Sequence, residues 1–309
     1  MSRCLVLGGA GFLGARVARA LRAAGHAVRV FDRPHLDRLH EVIRATRAEL
    51  ATGDFLNTGD LERALVDVEA VFHFVATTLP AASNANPLYD AETNLVGTLR
   101  LLELCRRARV QRVLFPSSGG TVYGVPRALP IAEDHPTEPT CAYGIHKLAI
   151  EKYLRLAHLR DGLEYVVLRL SNPFGEGQRT DTGQGAVTVF LHRALRGEPI
   201  EIWGDGSVVR DYVYVGDVAE AFVAALAHRG EPRLFNIGSG RGTSLVELVR
   251  EVETVLGRAV AVRHLPGRAF DVPSNVLDCT RARAVLGWRA RTPLREGIRR
   301  TLEWLREHG

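Results

Sequence analysis

Short apolar runs alternate along this chain with longer stretches in which apolar residues recur at helical spacing. Cys4–Leu7, Val28–Phe31, Val71–Ala76, Gln111–Phe115 and Tyr165–Leu170 have the length and continuity of strands covered on both faces. Between them, 15–24 and 87–108 read as helices, the second as one long helix with its apolar face at Leu95, Leu99, Leu102, Leu104 and Cys105. Further helices are predicted over 186–196, 245–256 and 293–305, with a Gly- and Thr-rich loop over 175–185. Strands and helices alternating at this rhythm predict an α/β chain built on a Rossmann-type doubly wound parallel sheet. Ligands of such sheets lie beyond the carboxyl ends of the strands. Gly8–Gly14, Asp32, Ala76 and Ser117–Thr121 therefore fall along one rim.

The first strand runs into Gly8-Gly9-Ala10-Gly11-Phe12-Leu13-Gly14 and then into a helix. Gly8, Gly11 and Gly14 suit a tight turn, close approach to a pyrophosphate, and close helix–strand packing. A phosphate would then meet the free N–H groups at the helix start. Asp32 ends the second strand, eighteen residues after Gly14. An acid there suits the adenosine ribose hydroxyls and repels a 2′-phosphate, which favours NAD over NADP; a turn or cap role is the alternative.

Tyr143 and Lys147 stand four residues apart in Tyr-Gly-Ile-His-Lys, one turn apart on one helix face. A free phenol, with a pKa of about 10, is a poor base at neutral pH, and a nearby cation is expected to lower that value. The chain has only two lysines, Lys147 and Lys152, so a basic position here would otherwise be arginine. Lysine supplies a compact point charge on a flexible stem. The alternative is a surface lysine on an amphipathic helix.

The net charge of +5 is modest and the basic residues are interspersed with acids, so no nucleic-acid footprint is read. Four scattered cysteines (Cys4, Cys105, Cys141, Cys279) lack metal or CxxC spacing and read as reduced thiols of a cytoplasmic protein. No apolar run reaches membrane-spanning length, and the opening segment is too short and Gly-rich for a signal peptide. No metal and no membrane partner are expected.

These blocks, with Gly53-Asp54, HFVA at 73–76, NLVGT at 94–98, SSGGTVYG at 117–124, the Asn172-Pro173-Phe174-Gly175 block, and Val209-Arg210-Asp211-Tyr212-Val213-Tyr214, resemble the extended short-chain dehydrogenase/reductases. Within that group the whole chain is similar to the nucleotide-sugar 4-epimerases. The resemblance implies NAD contacts from Gly8, Gly11, Phe12, Leu13, Asp32 and Asp54. It implies more from Phe55, Ala76, Asn94, Ser117, Tyr143 and Lys147. It implies a UDP-sugar held by Asn172, Arg210, Arg268, Asp271 and Asn275, the two arginines meeting the diphosphate. Motif order places an NAD-binding domain at 1–170, to which 209–228 return, and a smaller, discontinuous α/β substrate domain at 171–309. A homodimer through helices near 88–108 and 142–160 is implied as well.

The implied reaction is C4 epimerisation of a UDP-hexose through a transient 4-keto sugar, with Tyr143 as the base and Lys147 as its cation. Asn275 stands where some 4-epimerases carry a bulky Tyr, which implies tolerance of N-acetylated hexoses. The chain departs from the family at Gly119, where a Ser or Thr usually shares the proton relay. Thr121 or Ser118 is the expected substitute, and Ser117 stays open. Sugar-nucleotide 4,6-dehydratases carry an acid in this segment and this chain offers none, which ranks epimerase above dehydratase; a silent NAD-binding regulator is a third reading. His73 is expected as a packed structural residue beside the cofactor, and Asp217 as a helix cap.

Overall fold

The computed structural model describes residues 1–34, 38–78, 80–181, 185–267 and 272–308. Cys4, Leu5, Val6 and Leu7 of β1 (Arg3–Leu7) are fully buried, as a central parallel strand requires. Helix α1 (Phe12–Ala23) turns Val17, Ala18 and Leu21 inward. The chain continues through β2 (Ala27–Asp32), α2 (Arg38–Thr46), β3 (Glu49–Thr52), α3 (Thr58–Ala64) and β4 (Ala70–His73). Next come α4 (Pro80–Ala85), α5 (Pro87–Asp90), a π-helical turn (Ala91–Val96) and α6 (Gly97–Arg107). Then β5 (Arg112–Ser118), α7 (Ala142–Asp161) and β6 (Glu164–Leu170) follow. The remainder comprises β7 (Asn172–Phe174), α8 (Ala186–Leu195), β8 (Ile200–Trp203), β9 (Val209–Tyr214), α9 (Val215–Ala227) and β10 (Leu234–Ile237). It ends with β11 (Gly242–Ser244), α10 (Leu245–Leu256), β12 (Val262–Leu265), β13 (Ser274–Asn275), α11 (Thr280–Leu286) and α12 (Leu294–His308).

Seven strands form one sheet in the order β10-β6-β5-β4-β1-β2-β3. The pairs β1–β2, β2–β3, β1–β4 and β4–β5 are parallel. The chain winds outward from β1 to β3, then restarts on the other side at β4. That reversal leaves a crevice beyond the carboxyl ends of β1 and β4. The doubly wound sheet expected from the pattern is what the chain forms.

The chain groups into two compact units. The first holds Met1–Gly124, Pro136–Arg169 and Ala219–Phe235; the second holds Val125–His135, Leu170–Val218 and Asn236–Gly309. Of the expected return at 209–228, residues from Ala219 onward belong to the first unit and 209–218 to the second. In the first unit, Phe222 of α9 packs on Phe72 and Phe74, with ring centroids 6.3 and 4.8 Å away. In the second, β9 pairs with β7, β11 and β13. The pattern of the sequence does not mark 125–135 as part of that unit. Its place there is fixed by Ile131, whose N–H donates to Val276 O at 2.8 Å and whose carbonyl accepts from Asp278 N at 2.9 Å.

Two expectations are corrected. The single helix over 87–108 is interrupted by the π-helical turn at Ala91–Val96. Thr93 Oγ1 donates to the Tyr89 carbonyl at 2.7 Å and Thr98 Oγ1 to the Asn94 carbonyl at 2.6 Å. Such back-bonding competes with the helical ladder, and a π turn inserts one extra residue into it. Asp217, expected as a helix cap, lies inside α9 and binds the segment after α11 instead. Its carboxylate accepts from Arg291 N (3.1 Å), Thr292 N (2.9 Å) and Thr292 Oγ1 (3.1 Å), while its carbonyl accepts from Trp288 Nε1 at 2.8 Å.

Because Asp217 is buried, removing its carboxylate leaves two backbone donors unpaired. Asp217→Ala is expected to destabilise the protein by about 3 kcal/mol, and Asp217→Asn by less, in chemical denaturation. An unchanged midpoint for Asp217→Ala would contradict the assignment.

Candidate active site

Gly8 follows β1 at φ +74, where an added Cβ would stand 3.0 Å from the Phe74 carbonyl carbon. A Cβ on Gly14 would run into the Gly8 carbonyl oxygen, so α1 can start against the turn only with glycine there. Gly11 caps α1 without any side-chain hydrogen bond, and Phe12 and Leu13 form its first turn. Asp32, at the carboxyl end of β2, accepts from Ala10 N and Arg33 N, both at 2.9 Å. Burial raises its pKa and those two bonds oppose the rise. The acid therefore braces the glycine turn while standing half-exposed at the strand end. Asp54 accepts from Leu56 N at 2.9 Å, and Phe55 stacks on His73 with centroids 5.1 Å apart. A close-approach glycine turn, a helix start with no side-chain cap and an acid on the next strand fit a dinucleotide.

Helix α7 presents Tyr143, Lys147 and Glu151 at four-residue spacing toward β5. Gly144 makes this approach possible: a Cβ there would lie 2.7 Å from the Thr121 carbonyl oxygen. Lys147 is buried, donates to the Pro116 carbonyl at 2.9 Å, and stands 4.5 Å over the Phe115 ring and 5.6 Å over the Tyr143 ring. Glu151 receives Arg169 in a bidentate pair at 3.0 and 2.6 Å and the Ser117 hydroxyl at 2.5 Å. The Arg169 guanidinium lies 4.7 Å over the Tyr123 ring.

A cavity of the first unit is lined by Ala76, Asp90, Asn94, Tyr143, His146 and Lys147, among others. Asn94 accepts from Thr77 N at 2.9 Å and donates to the hydroxyls of Thr77 and Thr78 at 2.9 and 3.1 Å. Asp90, 1 % exposed, lies 2.9 Å from His146 Nδ1. The sequence reading gave no role to Asp90 or Glu151. The available signal was spacing: Glu151 extends the Tyr143–Lys147 series by one turn, and Asp90 precedes Asn94 and Thr98 by one and two turns.

The pKa directions correct one expectation. Burial pushes the Tyr143 phenol above its ordinary value, and the charges of Asp90 and Cys141 push the same way. Burial lowers Lys147 to about 8, against the opposing charges of Asp90 and Glu151. Desolvation of the phenol is the first cause of that rise, so the expected lowering of Tyr143 does not arise from the protein's own groups.

Of the candidate hydroxyls, Ser117 is committed to Glu151. Ser118 is half-buried. The Thr121 hydroxyl is buried without a hydrogen-bond partner among the described residues. In the second unit, Asn172 donates to the Asp211 carbonyl at 3.1 Å. Arg210 donates to the carbonyls of Val209 (2.9 Å) and Val272 (2.7 Å), and Asn275 is buried opposite it in the β13–β9 register. Arg268 and Asp271 lie outside the described residues.

Residues 4–238 match the model of the NAD dependent epimerase/dehydratase family. The chain is 36% identical over 307 residues to a putative UDP-glucose 4-epimerase of Methanocaldococcus jannaschii, covering 98% of each. It superposes on the UDP-glucose 4-epimerase of Thermotoga maritima, solved with UDP-glucose, at a TM-score of 0.93 and 37% identity over 99% of both chains. The Thermus thermophilus enzyme, solved with NAD, gives 0.92 at 35% identity, over 99% of this chain and 100% of the other.

His73 tests the electrostatics of this region. Thr98 Oγ1 gives its proton to Asn94 O, so His73 Nε2 donates to Thr98 at 2.9 Å and the ring stays neutral. Burial, then the charge of Lys147, lowers its pKa to about 3. The unfolded chain takes up this proton below about pH 6.5 and the folded chain does not, so stability is lost as pH falls toward 3. His73→Gln is expected to lose about 2 kcal/mol less than the parent between about pH 7 and about pH 5. Denaturation midpoints at the two pH values check this, and equal losses would refute it.

Proposed function

The chain belongs to the NAD dependent epimerase/dehydratase family, and we propose that it inverts C4 of UDP-hexoses through a transient 4-keto sugar. The observation that carries this reading is Tyr143 with Lys147 in one cavity of the first unit, at the end of β5. The glycine turn Gly8–Gly14 and Asp32 would hold NAD, which when bound supplies the reversible hydride acceptor. Asp54, Phe55, Ala76 and Asn94 complete the cofactor contacts. Tyr143 takes and returns the proton of the sugar 4-hydroxyl. Lys147, anchored on Pro116, places a positive charge beside the phenol and stabilises its ionised form.

Thr121 is the hydroxyl that stands in at the departure from the family pattern. Its buried oxygen lacks a partner among the described residues, whereas Ser117 is already used and Ser118 is half-exposed. In the second unit, Asn172, Arg210 and Asn275, together with Arg268 and Asp271, take the UDP-sugar, guanidinium being suited to the diphosphate. The small Asn275 supports acceptance of N-acetylated hexoses. The protein acts as a homodimer. Leu88, Tyr89 and Val96 are exposed before α6, as are Tyr153, Leu156 and Leu159 on α7, with Leu159 at 70 % exposure. Among the described residues no helix is long and apolar enough to cross a membrane.

Purified protein should interconvert UDP-glucose and UDP-galactose, and their N-acetyl forms, when products are resolved chromatographically. Tyr143→Phe should lower kcat about 10²–10⁴-fold. Thr121→Val should lower it about 10²-fold and Ser118→Ala should leave it nearly unchanged. The reverse ranking of the last two would move the relay to Ser118. A 4-keto-6-deoxy product would indicate dehydration instead. Asn275→Tyr should remove turnover of the N-acetyl forms first.

Light scattering of the parent should give the mass of two chains. Leu156→Glu combined with Leu159→Glu should give one, and a monomeric parent would sink the dimer assignment.

A further inference from the structure

Glu151 follows Lys147 by one turn of α7, is 7 % exposed, and does not line the cavity that holds Tyr143 and Lys147. Its carboxylate takes three donors. Oε1 accepts from the Ser117 hydroxyl at 2.5 Å and from Arg169 Nε at 3.0 Å, and Oε2 accepts from Arg169 Nη2 at 2.6 Å. Ser117 belongs to β5 and Arg169 to β6, which are neighbours in the sheet, and both residues are buried.

Lys147 grips the same stretch of β5 one residue earlier. Its ammonium donates to the Pro116 carbonyl at 2.9 Å and stands 4.5 Å over the Phe115 ring. Two consecutive residues of β5 are thus held by two consecutive turns of α7, Pro116 through its backbone and Ser117 through its side chain. A helix fastened at both points cannot turn about its axis, so the Lys147 side chain meets the sheet at one fixed place. Arg169 closes the arrangement from β6, its guanidinium resting 4.7 Å over the Tyr123 ring.

Charge favours the same arrangement. Burial lowers the Lys147 pKa to about 8, while the carboxylates of Asp90 and Glu151 hold it up. Among the described residues, the charged or titratable groups facing Lys147 are Tyr143, His146 and Glu151 of α7, Asp90 of α5 and the neutral His73 of β4. From β5 it meets the uncharged Phe115 ring and Pro116 carbonyl. Removing the Glu151 carboxylate would also leave Arg169 as a cation without its partner behind the same strand end. Loss of the anion and exposure of that cation both disfavour a positive charge at Lys147.

We propose that Glu151 is a positioning residue for Lys147: through Ser117 and Arg169 it fixes the strand end on which the ammonium rests, and its charge keeps that group protonated at neutral pH. This rests on Lys147 assisting Tyr143 in the C4 chemistry. Glu151 acts from behind the cavity, through Lys147.

The chain has only two lysines, which makes the test direct. NAD-loaded protein labelled with carbon-13 lysine gives two Cε signals, and Lys152→Arg, at an exposed position of α7, identifies that of Lys147. The Cε shift follows protonation of the ammonium. Glu151→Gln keeps the shape and removes the anion, and in it the Lys147 transition should fall by about one pH unit relative to the parent. The ammonium is present below its pKa and lost above it, so the alkaline limb of the kcat profile should move down by the same amount. At about pH 7.5, kcat should fall at least about threefold while KM for UDP-glucose stays within about twofold. If Glu151→Gln does not fold, Glu151→Gln combined with Arg169→Met leaves no buried charge unpaired. Lys147 should still titrate below the parent there, because Glu151 shares its helix face. An unchanged Lys147 transition in a folded variant, or a raised KM with unchanged kcat, would overturn the assignment. The titration needs no turnover: a parent that interconverts no UDP-hexose would overturn the C4 reading, while the shift of the Lys147 signal would still decide the role of Glu151.

Discussion

The Lys147 ammonium is buried at the end of β5, donating to the Pro116 carbonyl with the Phe115 ring beneath it. An uncompensated charge in such a place would cost several kcal/mol. Two carboxylates act on it, Asp90 and Glu151, and both raise its pKa against the burial that lowers it. Each anion then needs its own partners. Glu151 takes Arg169 and Ser117, and Arg169 rests on Tyr123. Asp90 takes Thr78, Ser83, Asn94 and His146. One buried cation thus organises the polar interior of the first unit around the carboxyl ends of β4 and β5.

That requirement explains details that otherwise look unrelated. Ser117 points at Glu151, so its hydroxyl belongs to the support of Lys147. This leaves Thr121 as the buried hydroxyl without a partner among the described residues. Asp90 and Asn94, four residues apart at the start of the π-helical turn, both meet Thr78 of the segment after β4. Gly144 admits the Thr121 carbonyl against α7, and so brings the helix close enough for Lys147 to reach Pro116. The tyrosine is half-buried, and burial pushes its phenol up rather than down.

Glycine turn, acid-ended second strand and Tyr143–Lys147 spacing were all legible in the chain, because each is local. A turn that excludes a Cβ, a strand end and one helical turn are set by residues within a few positions of one another. The same locality made β1, β2, β4, β5 and β6 readable as apolar runs, since parallel strands buried on both faces tolerate few polar residues. The sequence by itself therefore determined the sheet, its ligand-bearing rim, the cofactor class and the one-turn spacing of Tyr143 and Lys147.

Only the tertiary structure decided what surrounds that pair. The partners of Asp90 come from segments separated by up to 68 positions between Thr78 and His146, and Ser117 meets Glu151 across 34. No periodicity encodes such meetings. The direction of the Tyr143 shift also depended on the balance of desolvation against charge, which follows from depth of burial and not from spacing. Asp217 shows the same division: an acid near a helix start was readable, but its place inside α9 and its partners near 291 and 292 were not. Short-range backbone geometry is written in neighbouring residues, whereas the compensation of a buried charge is settled only when distant segments enclose it.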